Sequence, residues 1–292
     1  MEIRTLRAFV EVVRQGGFSR AAETIFATQS AVSKAIKQLE DELGVPLLNR
    51  QGHKSSLTAA GEIVYVRARR ILAERDALLS ELDDLRGVKR GVLRLGLPPL
   101  GTATLFAPVF AAYRSRYPQI EINLVEHGSG MLEDLLRAGE LDLIASLLPV
   151  SQEFDWQELR REPLVVLLPE SNPLVERPSL KLVDVKELPF ILFQSGFALN
   201  RVILDACKRN GFEPNVSVQS GQVDFIVELV AAGMGIAFLP RMIADQRDHA
   251  LVRAITLAEP QTDYHIAMVW RRGSYVPHAA RAWLQLSKIS AV

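Results

Sequence analysis

Through residue 57 the chain alternates short apolar runs with polar punctuation at helical spacing. Ile3, Leu6, Phe9, Val10 and Val13 recur every three or four positions, and Gly16-Gly17 ends that run. Phe18 follows, Ser19 is placed to cap a second helix, and Ala21, Ala22, Ile25 and Phe26 give it an apolar face. After Ala27, Thr28 can cap a third helix that Gly44 ends, with Pro46 just beyond. At about 100° per residue, Val32, Ile36, Leu39 and Leu43 share one narrow sector of that helix. Gln29, Ser30, Ser33, Lys34 and Lys37 fill a different one. Two short helices joined tightly, the second presenting a polar face, predict a helix-turn-helix, with small Ala21 and Ala22 allowing close packing. From Val45 to Leu57 the pattern reads as two short strands around Gly52, a wing with Arg50, His53 and Lys54 near its tip.

Residues 58–87 read as one long helix, capped by Thr58 and ended by Gly87. Val64, Ile71, Leu78 and Leu85 recur at intervals of seven, flanked by Ala68, Leu72, Leu79 and Leu82. Such a helix is too long for the small unit before it to cover, so pairing with a second chain is expected. Val88-Lys89-Arg90 is a short hinge, and from Gly91 strands alternate with helices. Strands are predicted at Val92–Leu97, Ile120–Val125, Leu141–Leu147, Leu164–Leu168, Phe190–Phe193, Val216–Val218, Gly235–Leu239, Leu251–Ile255 and His265–Trp270. Helices are predicted at Ala103–Arg116, Met131–Ala138, Asn200–Asn210, Val223–Ala232 and Pro277–Lys288. Repeated strand–helix units predict an α/β domain with largely parallel sheets, and about nine strands in roughly 200 residues fit two small sheets better than one.

Composition narrows the chemistry. The 292 residues carry 34 Lys plus Arg and 34 Asp plus Glu, so no global basicity advertises nucleic acid. Through residue 57 eight bases face six acids, so any DNA contact rests on placement rather than bulk charge. The single Cys207 excludes an internal disulfide and a cysteine-clustered zinc site, and its apolar helical setting predicts a buried structural thiol. Met1-Glu2-Ile3-Arg4 lacks a signal-peptide pattern, and Phe225 to Pro240, interrupted by Glu228 and two glycines, is too short to span a bilayer. A cytoplasmic location without membrane association is expected.

A dinucleotide enzyme is the main competitor on such an α/β domain. Gly233-Met234-Gly235 precedes a strand instead of following one and lacks the third glycine. No GxxxxGK[ST], HExxH or GxSxG pattern is present, and His53, His127, His249, His265 and His278 are dispersed without metal-ligand spacing. The expectation is a protein that is not an enzyme, with no cofactor and no metal. A plain solute-binding protein would have a signal peptide and no winged unit.

The polar face of the third helix suits DNA. Glutamine pairs with adenine, lysine with guanine or phosphate, and serine with either. By itself it also describes an ordinary amphipathic surface helix; its neighbours decide. Phe18-Ser19-Arg20-Ala21-Ala22, Thr28-Gln29-Ser30-Ala31-Val32-Ser33, Leu39-Glu40-Asp41-Glu42-Leu43-Gly44 and Leu57-Thr58-Ala59-Ala60-Gly61 closely resemble the N-terminal domain of LysR-type transcriptional regulators. Arg137-Ala138-Gly139-Glu140 with the Leu-Asp-Leu-Ile after it, and the run Leu229 to Pro240, resemble the same family's effector domain, so the resemblance spans essentially the whole chain.

That resemblance implies a winged helix-turn-helix at 1–57, a dimerising linker helix at 58–87 and an effector-binding domain at 88–292. The last implies two lobes like the periplasmic binding proteins, lobe I at about 91–160 and 268–292 and lobe II at about 161–267, with crossings near 161–165 and 262–267. It implies Gln29, Ser30, Ser33 and Lys34 as groove readers and Arg50 and Lys54 on the wing, to which placement adds Thr28, Lys37 and His53. Ser30 stands where the family often has proline, Lys34 where arginine is frequent, and Leu48 where phenylalanine is common. Lysine offers a point charge rather than a bidentate fork, which loosens any guanine preference at that contact. Implied partners are double-stranded DNA, further copies of the chain as a dimer or tetramer, and a small-molecule effector.

Ligands in open α/β sheets bind beyond the carboxyl ends of strands. Four loops fit: Pro99, Leu100, Gly101 and Thr102; His127, Gly128 and Ser129; Gln194, Ser195, Gly196 and Phe197; and Gln219 and Ser220. Glycine and serine let backbone approach a ligand, and hydroxyls beside helix N-termini hold carboxylates. A small organic acid is the expected effector class. No arginine lies in these loops, so a carboxylate there relies on amides and hydroxyls, or on an arginine from elsewhere such as Arg201.

Overall fold

A computed structural model describes residues 1–49, 56–86 and 91–289. The chain divides into two compact units, residues 1–88 with 137–140, and residues 89–136 with 141–292.

In the first unit, α1 (Ile3–Gln15) ends at Gly16 in the left-handed conformation, and α2 (Phe18–Thr24) follows at once. Ser19 is not its cap as expected: Gly17 takes that place, because the helix already begins at Phe18. The next helix, α3 (Gln29–Leu43), is capped by Thr28, whose hydroxyl accepts from the Ala31 N–H at 3.2 Å, and closes at a left-handed Gly44. Val32, Ala35, Ile36 and Leu39 of α3 meet Leu6, Phe9 and Val12 of α1 and Ala21 and Ala22 of α2 in one small core. Leu43, assigned to the same sector, is exposed instead, since it lies in the last turn beyond the α1 contact. Strands β1 (Leu48–Asn49) and β2 (Ser56–Leu57) pair antiparallel; the hairpin tip lies outside the described residues.

Helix α4 (Ala59–Leu85) is capped by the Thr58 hydroxyl, which accepts from Gly61 N–H at 2.9 Å. Gly61 is required there, since a Cβ would lie 2.0 Å from the Leu47 carbonyl oxygen. The seven-residue series splits in two. Val64, Ala68 and Leu72 pack on the unit's own core, whereas Ile71, Leu78, Leu79, Leu82 and Leu85 are exposed. The expected hinge at Val88-Lys89-Arg90 lies outside the described residues, as does Gly87.

The second unit runs β3 (Gly91–Leu97), α5 (Thr102–Arg116), β4 (Ile120–Glu126), α6 (Ser129–Arg137), β5 (Leu143–Leu147) and β6 (Phe154–Glu162). It continues β7 (Leu164–Pro169), β8 (Ser179–Leu180), β9 (Phe190–Phe193), α7 (Ala198–Arg209), β10 (Val216–Ser220), α8 (Val223–Ala231) and β11 (Ala237–Pro240). Last come α9 (Arg241–Ala244), β12 (Val252–Leu257), β13 (Tyr264–Arg271) and α10 (His278–Ile289). One sheet has the order β4-β3-β5-β13-β6, another β11-β7-β12-β8, and β9 pairs with β10. Only Pro163 separates β6 of the first sheet from β7 of the second, and the chain returns between β12 and β13.

These sheets are mixed, not largely parallel. β13 runs antiparallel to both β5 and β6, and β7 antiparallel to both β11 and β12. The reason is the double crossing: a strand returning from the other lobe needs no helical crossover to pair, so it can enter antiparallel. The pattern of apolar runs also misses β6. This strand lies at a sheet edge and buries only Phe154, Leu159 and Glu162, with charged and polar residues between. Around α5 and α10 the core is aromatic, with Trp283 wholly buried against Phe106, Phe110 and Tyr113.

Candidate nucleic-acid interface and ligand cleft

The two faces of α3 separate cleanly. Opposite its buried side, Gln29, Ser30, Ser33, Lys34 and Lys37 are all exposed. Neither lysine enters an ion pair among the described residues, so both ammonium groups stay available to an anion. Thr28 is also exposed, but its hydroxyl is engaged in the cap and lies 3.0 Å from the Ser30 hydroxyl. The acidic end of the helix is partly spent on structure. Glu40 accepts from the Leu47 and Leu48 N–H groups at 2.8 and 3.3 Å, which ties β1 to α3. Arg50, His53 and Lys54 lie outside the described residues.

Phe26 was expected on the apolar face of α2, and the structure places it elsewhere. It is 98% exposed, in the turn between α2 and α3, with a φ of 53°. A bulky residue in the left-handed region is strained.

In the second unit, the structure brings only part of the predicted loop set to one space. Pro99, Leu100, Gly128, Ser129 and Phe197 line a cavity of about 20 Å³ with Leu147 and Tyr264. That is less than the volume of any organic ligand. The lobes close on each other here: a Cβ on Gly128 would lie 2.4 Å from the Gly196 carbonyl oxygen. Much of the loops' polarity is already used. Thr102 donates to the Pro98 carbonyl, the Gln194 N–H to the Ser220 carbonyl at 3.1 Å, and the Gln222 N–H to the Ser220 hydroxyl at 3.1 Å. His127 is exposed and its Nδ1 accepts from the Gly128 N–H at 2.9 Å, so it is turned to its own loop. Ser129 and Ser220 are buried, whereas Gln194, Ser195 and Gly196 are exposed. Gly101, Thr102, His127, Gln194, Ser195, Gly196, Gln219 and Ser220 do not line the small cavity.

Tyr264 is the residue that sequence reasoning missed. It is fully buried, donates to the Leu100 carbonyl at 2.8 Å and sits beneath Gly101, tying the hinge strand β13 to the first loop. Burial holds its phenol well above the ordinary range, so it stays a neutral donor. Cys207 is buried as expected, and burial, followed by the nearby Glu259 carboxylate, pushes its thiol up to about 11. Little thiolate forms at neutral pH, which fits a structural role. Among the described residues no group of His, Cys, Asp or Glu is arranged to hold a metal ion, and no helix is long and apolar enough to cross a membrane.

Comparison with known proteins matches both units to one family. Residues 3–62 match the bacterial regulatory helix-turn-helix protein model of the lysR family, and residues 86–289 match the LysR substrate binding domain. The HTH-type transcriptional regulator YwbI of Bacillus subtilis is 37% identical over 99% of this chain and 96% of its own length. The transcriptional dual regulator GltC of the same organism is 31% identical over 92% of this chain and 90% of its own. Among solved structures, a full-length OxyR variant from Pseudomonas aeruginosa superposes with a TM-score of 0.78 at 25% identity, covering 99% of this chain and 95% of that one. Full-length CbnR in complex with its target DNA shares the fold, with a TM-score of 0.65 at 22% identity over 99% of this chain and all of its own.

Proposed function

The chain belongs to the LysR family, and from that premise we propose how a DNA-binding transcriptional regulator of this sequence divides its work between two units. It binds DNA through the first unit, answers a small-molecule effector through the second, and self-associates. In our reading α3 enters the major groove, with Gln29, Ser30, Ser33 and Lys34 toward base edges and Lys37 toward phosphate. Arg50, His53 and Lys54 on the wing hold the backbone or the minor groove. Thr28 is a positioning residue that fixes the first turn of the reading helix. The observation that carries this is the division of α3, whose Val32, Ala35, Ile36 and Leu39 are committed to the core while Gln29, Ser33 and both lysines stay open.

The exposed half of the α4 stripe, from Ile71 to Leu85, supports pairing through a second copy of this helix. A two-fold pair meets half-sites about one helical turn of DNA apart, or a multiple of it. The effector works by differential affinity: it favours one arrangement of the two lobes, and the assembly then changes the spacing of its reading heads. The four loops remain our candidates for its seat when the lobes part, with a small organic acid as the class. Catalysis has no part in this reading, and the protein acts beside the chromosome in the cytoplasm.

Fluorescence anisotropy with the DNA upstream of the protein's own gene, against random DNA of equal length across a salt series, tests the reading. A preference of about a thousandfold or more with a steep salt slope is expected. No binding to either DNA at low salt contradicts it. Within the same assay Lys54→Ala should weaken all sequences alike and lower the salt slope by about one.

A further inference from the structure

Strand residues alternate faces, and around Tyr264 this sends two neighbours to a different space. Tyr264 lines the closed cavity, whereas Asp263 and His265 line a groove of about 610 Å³ together with residues of α7. That volume falls within the roughly 300–1,000 Å³ of small-molecule sites. Its walls come from both lobes: Leu148, Pro149 and Trp156 from the β5–β6 side, and Arg201 and Val202 from α7. Trp156 is half exposed and meets the His265 ring edge-on at 6.3 Å, so it forms an aromatic wall open to solvent.

The charges of the groove are unequally committed. Arg161 is paired with Asp263 at 2.5 Å, and Arg209 donates to the Pro260 carbonyl at 3.0 Å. His265 Nε2 lies 3.2 Å from Glu158. Arg201 is exposed and makes no ion pair or hydrogen bond among the described residues, although Asp205 lies one turn along the same helix. Gln261, on the rim, holds a φ of 59°, a left-handed conformation that glutamine rarely adopts. An uncommitted guanidinium beside an aromatic and aliphatic wall suits a compact apolar body carrying a single carboxylate.

We propose that this groove is a ligand seat, distinct from the four loops, for a small aromatic or branched monocarboxylate held by Arg201 against Trp156 and Pro149. It deepens the regulatory reading given above and rests on it: a ligand there touches both lobes and so biases their arrangement. Calorimetry on the full chain with phenylacetate and isovalerate, each against its uncharged amide, provides the test. At least one acid should bind saturably and about tenfold or more tighter than its amide, and Arg201→Gln should remove that advantage. Arg201→Lys should retain part of it. No saturable binding of either acid overturns the proposal, as does binding that Arg201→Gln leaves unchanged or that only Gly128→Ala abolishes. Operator preference measured on the same samples separates the two ideas, because loss of this seat leaves sequence-specific DNA binding intact.

Discussion

The proposed reading helix and the proposed ligand loops are built in opposite ways. On α3 the apolar residues fold the unit, and Gln29, Ser33, Lys34 and Lys37 stand exposed without a structural bond among the described residues. At the loops of the second unit several polar groups bond within their own loops, and Gly128 closes on Gly196 with almost no space between. One surface is preorganised and can meet its partner without rearrangement. The other is largely closed on itself, so in the proposed reading a ligand there has to replace contacts already made, and that replacement would couple binding to lobe movement.

The comparison can be broken most forcefully where each unit relies on a close approach. Gly61→Ala places a methyl 2.0 Å from the Leu47 carbonyl, so the wing and the start of α4 have to separate. A loss of about 3 kcal/mol or more is expected, confined to the first unit. Calorimetric melting should show one transition collapse while that of the larger unit persists; joint collapse would show that the units do not melt independently. Gly128→Ala acts on the other side, where the added methyl has to push the Gly196 backbone away. About 1–3 kcal/mol of the larger unit's stability should be lost, with DNA affinity of the first unit retained. An unchanged melting temperature would mean that the closed arrangement contributes nothing. Phe26→Asn should have the smallest effect and the opposite sign. Asparagine tolerates the left-handed turn, so stability should rise by about 0.5–1 kcal/mol, read as an upward shift in the first unit's melting temperature. A fall would show that the exposed ring has a partner within the fold.

How much of this the sequence reveals follows the same division. The faces of α3 were legible because burial on one helix is a local, periodic property, read from Val32, Ile36 and Leu39. The left-handed close at Gly44 and the Thr28 cap were legible for the same reason. Phe26 was misplaced because spacing does not report that the helix has already ended. The split of the α4 stripe was hidden, since Val64 and Leu78 are equivalent by spacing and differ only in whether α1 reaches them. The candidate ligand loops stand out in the sequence as glycine- and serine-rich turns, but nothing local says that Gly128 will meet Gly196, nearly seventy residues away. Tyr264 and β6 belong to the double crossing, and the pairing of β13 with β5 and β6 is a long-range outcome.

Central to the account is that α3 reads sequence through side chains that do no folding work. The most direct test is anisotropy binding of the wild type and Gln29→Ala to operator and random DNA across a salt series, with melting temperatures recorded on the same samples. The account predicts a loss of about 1–3 kcal/mol on the operator alone, with salt slope and melting temperature unchanged. Equal loss on both DNAs, or a lowered melting temperature, would contradict it.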